Sequence, residues 1–169
     1  RVIVADLALP RLLRLRRDNP ENLIPVCADI QAGFLRTPVD AAVSIAVVEH
    51  LPEPGKMLAE LARVVRSGGR ACLYVPVVNL PFPRLATGLY RRLRGFDVAR
   101  MEKEHPSIMT GKKLRAELAA AGLNVLDVRY YSVLEEFRWL PHFISRLVAK
   151  VPLLRGWLAQ GMFVTCVAP

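Results

Sequence analysis

The apolar residues of this chain come in short unbroken runs, and the runs alternate with segments of helical period. "VIVAD" (Val2 to Asp6), "NLIPVCAD" (Asn22 to Asp29) and "AAVSIAVV" behind Asp40 are apolar along nearly their whole length. So is "RACLYVPV", and "LNVLDVRYYSV" and "MFVTCVA" read as two later strands. Between the runs, Leu9, Leu12 and Leu13 repeat at helical spacing behind Pro10, a residue suited to a first helical turn. Met57, Leu58, Leu61, Val64 and Val65 form one stripe of a helix from Gly55 to Arg66, with Lys56, Glu60, Arg63 and Arg66 on its other faces. Strands without polar alternation, separated by helices, predict a parallel sheet covered on both faces.

The ends of these elements carry their own signals. Asn19-Pro20 closes the first helix, and Ser67-Gly68-Gly69 is expected to terminate the second through a left-handed glycine. Thr110 can cap a third helix that runs to about Ala121 and stops at Gly122. Phe143, Ile144, Leu147, Val148 and Val151 outline a basic amphipathic helix stopped by Pro152. At 169 residues the chain is read as one domain, 1–169, with a looser, proline-rich stretch at 79–109. No apolar run approaches the ~20 residues of a membrane-spanning helix. The opening "RVIVADLALP" lacks the order of segments found in a signal peptide, so the chain reads as cytoplasmic and as starting inside a fold. Cys27, Cys72 and Cys166 lie far apart in apolar runs without metal spacing, which predicts buried, reduced thiols.

A net charge of +9 admits nucleic acid, anionic lipid or an acidic substrate as partner, or a general bias toward arginine on solvated faces. There is no interleaving of aromatic and basic residues of the kind that stacks bases, which argues against nucleic acid. Arg91, Arg92 and Arg94 lie among Phe82, Leu85, Leu89, Leu93 and Phe96. That segment can form a lid, apolar inside and basic outside. With the basic helix it offers contact with an anionic membrane surface, or simply a solvated cover for the sheet.

In an open α/β sheet, ligands bind beyond the carboxyl ends of the strands. Asp6, Asp29 and the stretch from Ser44 to His50 fall at such ends. A strand-end aspartate can accept from ribose hydroxyls, or it can be an ordinary turn residue.

The stretch "VDAAVSIAVVEHLPEPGKMLAELARVVRSGGRACLYVP" (Val39 to Pro76) resembles the central signature of class I S-adenosylmethionine-dependent methyltransferases, above all members acting on small molecules, quinones and lipids. "VIVADLALPRLLRL" and "VCADIQ" resemble the preceding strands of that family, and "EHPSIMTGKKLRAELAAAGLNVLDVRYYS" a later helix and strand. The resemblance implies a Rossmann-like α/β sheet, mostly parallel, with an antiparallel last strand. It implies S-adenosyl-L-methionine as cofactor. Asp6 would bind its ribose and Leu7 line the ribose side, Asp29 would meet the adenine amino group and Ile30 pack on the adenine. Ile45 and Ala46 would meet the methionine portion through their backbone. His50, or His105 in "KEHPS", would take a proton from a hydroxyl where the acceptor must lose one. Both also have structural readings, as turn or packing histidines.

The family's first strand and glycine-rich turn have no counterpart here. The expectation is an N-terminally incomplete methyltransferase domain acting on a small-molecule or lipid-like acceptor. The rival is a degenerate, non-catalytic scaffold that binds a partner or an anionic membrane. "NLPFP" (Asn79 to Pro83) has some likeness to the Asn-Pro-Pro-aromatic motif of amino-methylating enzymes but follows the wrong strand, so a loop near the substrate entrance is expected instead. His142, after Pro141, reads as structural.

Overall fold

The computed structural model describes residues 1–77, 79, 89, 92, 103–133, 143, 147, 150, 151, 156 and 159–169. The expected helix at 143–151 and the lid within 79–109 lie largely outside these residues, as does His142. Contacts divide the chain into two compact units, Arg1–Pro38 and Val39–Pro169.

The first unit is a βαβ arrangement. β1 (Val2–Asp6) and β2 (Leu23–Cys27) pair in parallel, with Val2 opposite Leu23 and Asp6 opposite Cys27. Between them lies α1 (Leu9–Asp18), with Pro10 in its first turn and Arg16 and Arg17 in its last. Cations at that end complement the helix dipole. Asn19 closes α1, its backbone N–H reaching the Leu15 and Arg16 carbonyls, and Leu12 is the helix's buried residue. Cys27 is exposed, contrary to expectation. A two-stranded sheet with one helix cannot cover all sides of an apolar run.

The second unit holds a four-stranded mixed sheet in the order β3-β4-β6-β5. β3 (Val39–Ile45) and β4 (Val65–Pro76) are parallel, while β6 (Ala159–Val167) runs antiparallel between β4 and β5 (Asn124–Val133). An α/β fold with one antiparallel strand is therefore present, as expected. A 3₁₀ turn (Val48–His50) and α2 (Pro54–Val64) connect β3 to β4, and α3 (Gly111–Ala120) precedes β5. Thr110 caps α3 as predicted, its Oγ1 accepting from Lys113 N at 3.1 Å. Gly122 follows in the left-handed region at φ 78°.

Leu58 and Leu61 of α2, Leu114 and Leu118 of α3, and Leu73, Val75, Met162 and Val164 of the sheet are buried together as one core. This is one face of the sheet. The opposite face does not match the expectation of cover on both sides. Among the described residues Val43 (71 %), Ile45 (63 %), Tyr131 (52 %) and Phe163 (45 %) are exposed there.

The end of α2 also differs from the sequence reading. The helix stops at Val64, and Val65 is already extended while its N–H closes on the Leu61 carbonyl. β4 begins at once and carries an irregularity in which Val39 and Ala41 face Val65 and Arg70. Gly68 takes the left-handed conformation (φ 72°) inside this irregularity, and a Cβ at Gly69 would stand 2.7 Å from the Asp40 carbonyl oxygen. Gly68 thus supplies the left-handed backbone and Gly69 the close approach of β4 to β3.

Candidate active site

The two strand-end aspartates of the first unit make the same local turn. Asp6 Oδ1 accepts from Ala8 N at 2.8 Å, and Asp29 Oδ1 accepts from Gln31 N at 2.9 Å and from Gln31 Nε2 at 3.4 Å. Each side chain mimics a backbone turn, the structural role weighed above. Each carboxylate still has its Oδ2, a pure acceptor suited to hydroxyl or amino donors. Leu7 is exposed beside Asp6, and Ile30 is half-buried beside Asp29.

In the second unit β3 ends in a sharp kink. Ala46 has φ 52°, and it is the sole non-glycine residue with positive φ among those described. Its N–H donates to the Tyr74 carbonyl at 2.9 Å, which pins the kink to β4. A ligand would therefore meet Ala46 through its carbonyl or methyl. A left-handed alanine costs roughly 1–2 kcal/mol, and such strain concentrates at functional turns.

The 3₁₀ turn after the kink carries Glu49 and His50, and the segment at 103–110 is fastened to it. Ser107 N donates to the Glu49 carbonyl at 3.2 Å, and Ser107 Oγ donates to the Leu51 carbonyl at 2.6 Å. His50 Nδ1 lies 2.7 Å from the Glu104 carbonyl oxygen. The His50 and His105 rings pack with centroids 4.5 Å apart and planes tilted by 36°, so the fold brings together two histidines 55 positions apart in the sequence. A carbonyl can only accept, so Nδ1 of His50 carries a proton and Nε2 holds the lone pair of the neutral ring. Nε2 is 3.9 Å from Glu49 Oε1.

Glu49 is the residue whose setting was not legible beforehand. Its side chain is only 7 % exposed, and its Oε2 is buried without a hydrogen-bond partner among the described residues. Ser44 Oγ, at the end of β3, is buried and unpartnered in the same way. Asn79, the first residue of "NLPFP", is committed to structure. Its Oδ1 accepts from Gly111 N at 2.6 Å and its Nδ2 donates to the Gly156 carbonyl at 2.7 Å, joining the start of α3 to a distant segment. Among the described residues no group of three histidine, cysteine or acidic side chains is placed to hold a metal ion, and no helix is long and apolar enough to cross a membrane.

Parallel strands of an α/β protein with polar residues at their carboxyl ends, one of them followed by an acidic-histidine turn, are the features of a Rossmann-like protein. Comparison with known proteins agrees. The family described as "Methyltransferase domain" matches residues 1–73. An uncharacterized methyltransferase of Mycobacterium marinum (strain ATCC BAA-535 / M) is 32 % identical over 133 residues, 76 % of this chain and 52 % of that protein. The chain belongs to the class I S-adenosylmethionine-dependent methyltransferase family, and it spans about half the length of the curated relatives it matches.

Two solved structures share the fold at low identity. The geranyl diphosphate C-methyltransferase of Streptomyces coelicolor A3(2) superposes with a TM-score of 0.68 at 14 % identity, covering 100 % of this chain and 64 % of that one. The [4+2]-cyclase SpnF gives 0.65 at 18 % identity, covering 100 % and 67 %. A cyclase on the same fold is a reminder that chemistry is decided by the site.

Proposed function

We propose that this chain is part of an S-adenosylmethionine-dependent methyltransferase acting on a small-molecule or lipid-like acceptor. The observation that carries the reading is the kinked strand end at Ala46 followed by the His50–His105 pair. When bound, S-adenosylmethionine supplies an electrophilic methyl group on a sulfonium that is already a good leaving group, so the protein's task is mostly alignment. Asp6 is assigned to the ribose hydroxyls with Leu7 beside them, Asp29 and Ile30 to the adenine, and Ile45 and Ala46 to the methionine portion.

His50 is the proton acceptor for a hydroxyl substrate. Its Nδ1–H is held on the Glu104 carbonyl, which leaves Nε2 as the basic atom. Nε2 would take the proton that the acceptor hydroxyl gives up on methylation. The imidazolium so formed has the Glu49 carboxylate 3.9 Å away. His105 packs against the His50 ring and is the alternative acceptor.

Calorimetric titration with S-adenosylmethionine tests the reading. Saturable binding that Asp6→Ala weakens supports it, and no heat at millimolar ligand overturns it. His50→Gln should then lower kcat for a hydroxyl acceptor far more than it changes cofactor affinity.

One observation favours a second reading, a scaffold touching an anionic membrane. Phe143, Leu147 and Val151 are exposed at helical spacing, with Lys150 exposed beside them. Co-flotation with vesicles containing phosphatidylserine, without cofactor binding, would favour it.

A further inference from the structure

The exposed face of the four-stranded sheet is not uniform. Ile45 on β3, Tyr74 on β4 and Phe163 on β6 lie side by side in register, so their side chains share that face. Tyr131 of β5 lies opposite Gly161 of β6, one row further toward the carboxyl ends of β3, β4 and β5, and Arg129 of β5 stands opposite Phe163, completing the first row. The three rings touch one another. Tyr74 and Phe163 have centroids 4.8 Å apart, Tyr131 and Phe163 stand edge-to-face at 5.9 Å, and Tyr74 and Tyr131 edge-to-face at 6.2 Å.

Toward the other end of the strands the same face changes character. The next row is Val43, Cys72, Thr165 and Asp127, without a ring and half of it polar, and Asp127 pairs at 2.8 Å with Arg129 of the first row. The rings are confined to one end of the strands, the end at which open α/β sheets receive ligands.

We propose that Tyr74, Phe163 and Tyr131 form the wall that receives a planar aromatic methyl acceptor. The proposal rests on the methyltransferase reading, which assigns the neighbouring Ile45 and Ala46 to the methyl-bearing end of the cofactor. Ala46 N–H is bonded to the carbonyl of Tyr74 itself, so the wall begins at the residue next to the expected donor. The mutual ring contacts fix the wall before any ligand arrives, and edge-to-face and offset contacts are how aromatic rings extend such a cluster. The tyrosine hydroxyls and the Arg129 guanidinium put polar groups beside the rings, which suits an acceptor carrying a hydroxyl.

The test is a fluorescence titration of the full chain with 1-naphthol, run beside a calorimetric titration with S-adenosylhomocysteine. Both Tyr131 and Phe163 are about half exposed, so their substitution leaves the core in place, and far-UV circular dichroism checks this. Saturable naphthol binding is expected. Tyr131→Ala and Phe163→Ala should each weaken it about three- to tenfold, the worth of one aromatic contact, with S-adenosylhomocysteine affinity unchanged.

Tyr131→Leu should weaken naphthol binding as much as alanine does. A leucine variant that binds at full strength overturns the aromatic claim, since any apolar surface would then serve. Cofactor binding without saturable naphthol binding, or naphthol binding untouched by all three substitutions, overturns the wall. Naphthol binding that responds to these substitutions while S-adenosylhomocysteine fails to bind upholds the wall and removes the methyltransferase reading.

Discussion

Gly161 lies in β6, between β4 and β5, and the Tyr74 ring lies directly over it. A Cβ built at Gly161 would fall 2.6, 2.7 and 3.0 Å from Cε2, the hydroxyl oxygen and Cζ of Tyr74. The ring cannot simply swing away, because Phe163 and Tyr131 flank it. Gly161→Ala therefore sets two effects against each other. Forcing a methyl against a packed ring costs roughly 1–3 kcal/mol. Replacing glycine at a residue without positive φ returns roughly 0.4–1 kcal/mol by restricting the unfolded chain. The net expectation is a loss of about 0.5–2 kcal/mol. In a Tyr74→Ala background the clash disappears, so the same substitution should become stabilising by roughly 0.4–1 kcal/mol. Urea unfolding of the four members of the cycle, followed by the tyrosine near-ultraviolet signal, reads both numbers. If Gly161→Ala costs the same with and without the Tyr74 ring, the reasoning fails, and the glycine is needed for its backbone instead.

Three further expectations can be checked on the same protein. Thr110→Ala removes the bond from Lys113 N and should lower stability by about 1 kcal/mol, seen as a drop in Tm that Thr110→Ser largely avoids. The Arg63 guanidinium, by hydrogen bonding to Glu60, holds that carboxyl below its ordinary value of 4.5. A depressed folded value stabilises above the unfolded value and is lost as pH falls through the folded one. The stability gap between the native chain and Glu60→Gln, at most about 0.5 kcal/mol, should accordingly hold at neutral pH and close below 4.5. Burial pushes the Cys166 thiol up to about 11, with Cys72 adding to the effect, whereas Cys27 is exposed. A thiol reagent at pH 8 should modify Cys27 quickly and Cys166 only after unfolding, as peptide mapping would show.

Much of the fold was legible because period and punctuation agreed. In α1, Pro10, the leucine spacing and Asn19 all point the same way, and Thr110 and Gly122 bound α3 where the sequence places them. The junction at Val64-Val65 was not legible. Both residues fit the apolar stripe of α2, but adjacent β-branched side chains serve a strand equally well, and the parallel pairing with β3 claims Val65. Among the candidate residues, Asp6, Asp29 and His50 stand out in the sequence because each follows or ends an apolar run. Glu49 gave no such signal, because nothing in "VVEHL" says which of two adjacent polar residues turns inward. The aromatic wall was hidden for a topological reason. Tyr74, Tyr131 and Phe163 are remote in sequence and meet because β6 enters the sheet between two strands made before it.

That insertion has a consequence for how the sheet comes into being. β4 and β5 share no ladder of their own; each is zipped to β6, Arg70 with Val167 on one side and Asn124 with Val167 on the other. Until residues 159–167 arrive, β5 has no partner strand among the described residues and β4 has β3 alone. The second unit is thus a structure whose keystone is laid last. Its assembly must wait on contacts between residues nearly a hundred positions apart, the kind of long-range closure that slows folding and leaves strand edges open meanwhile.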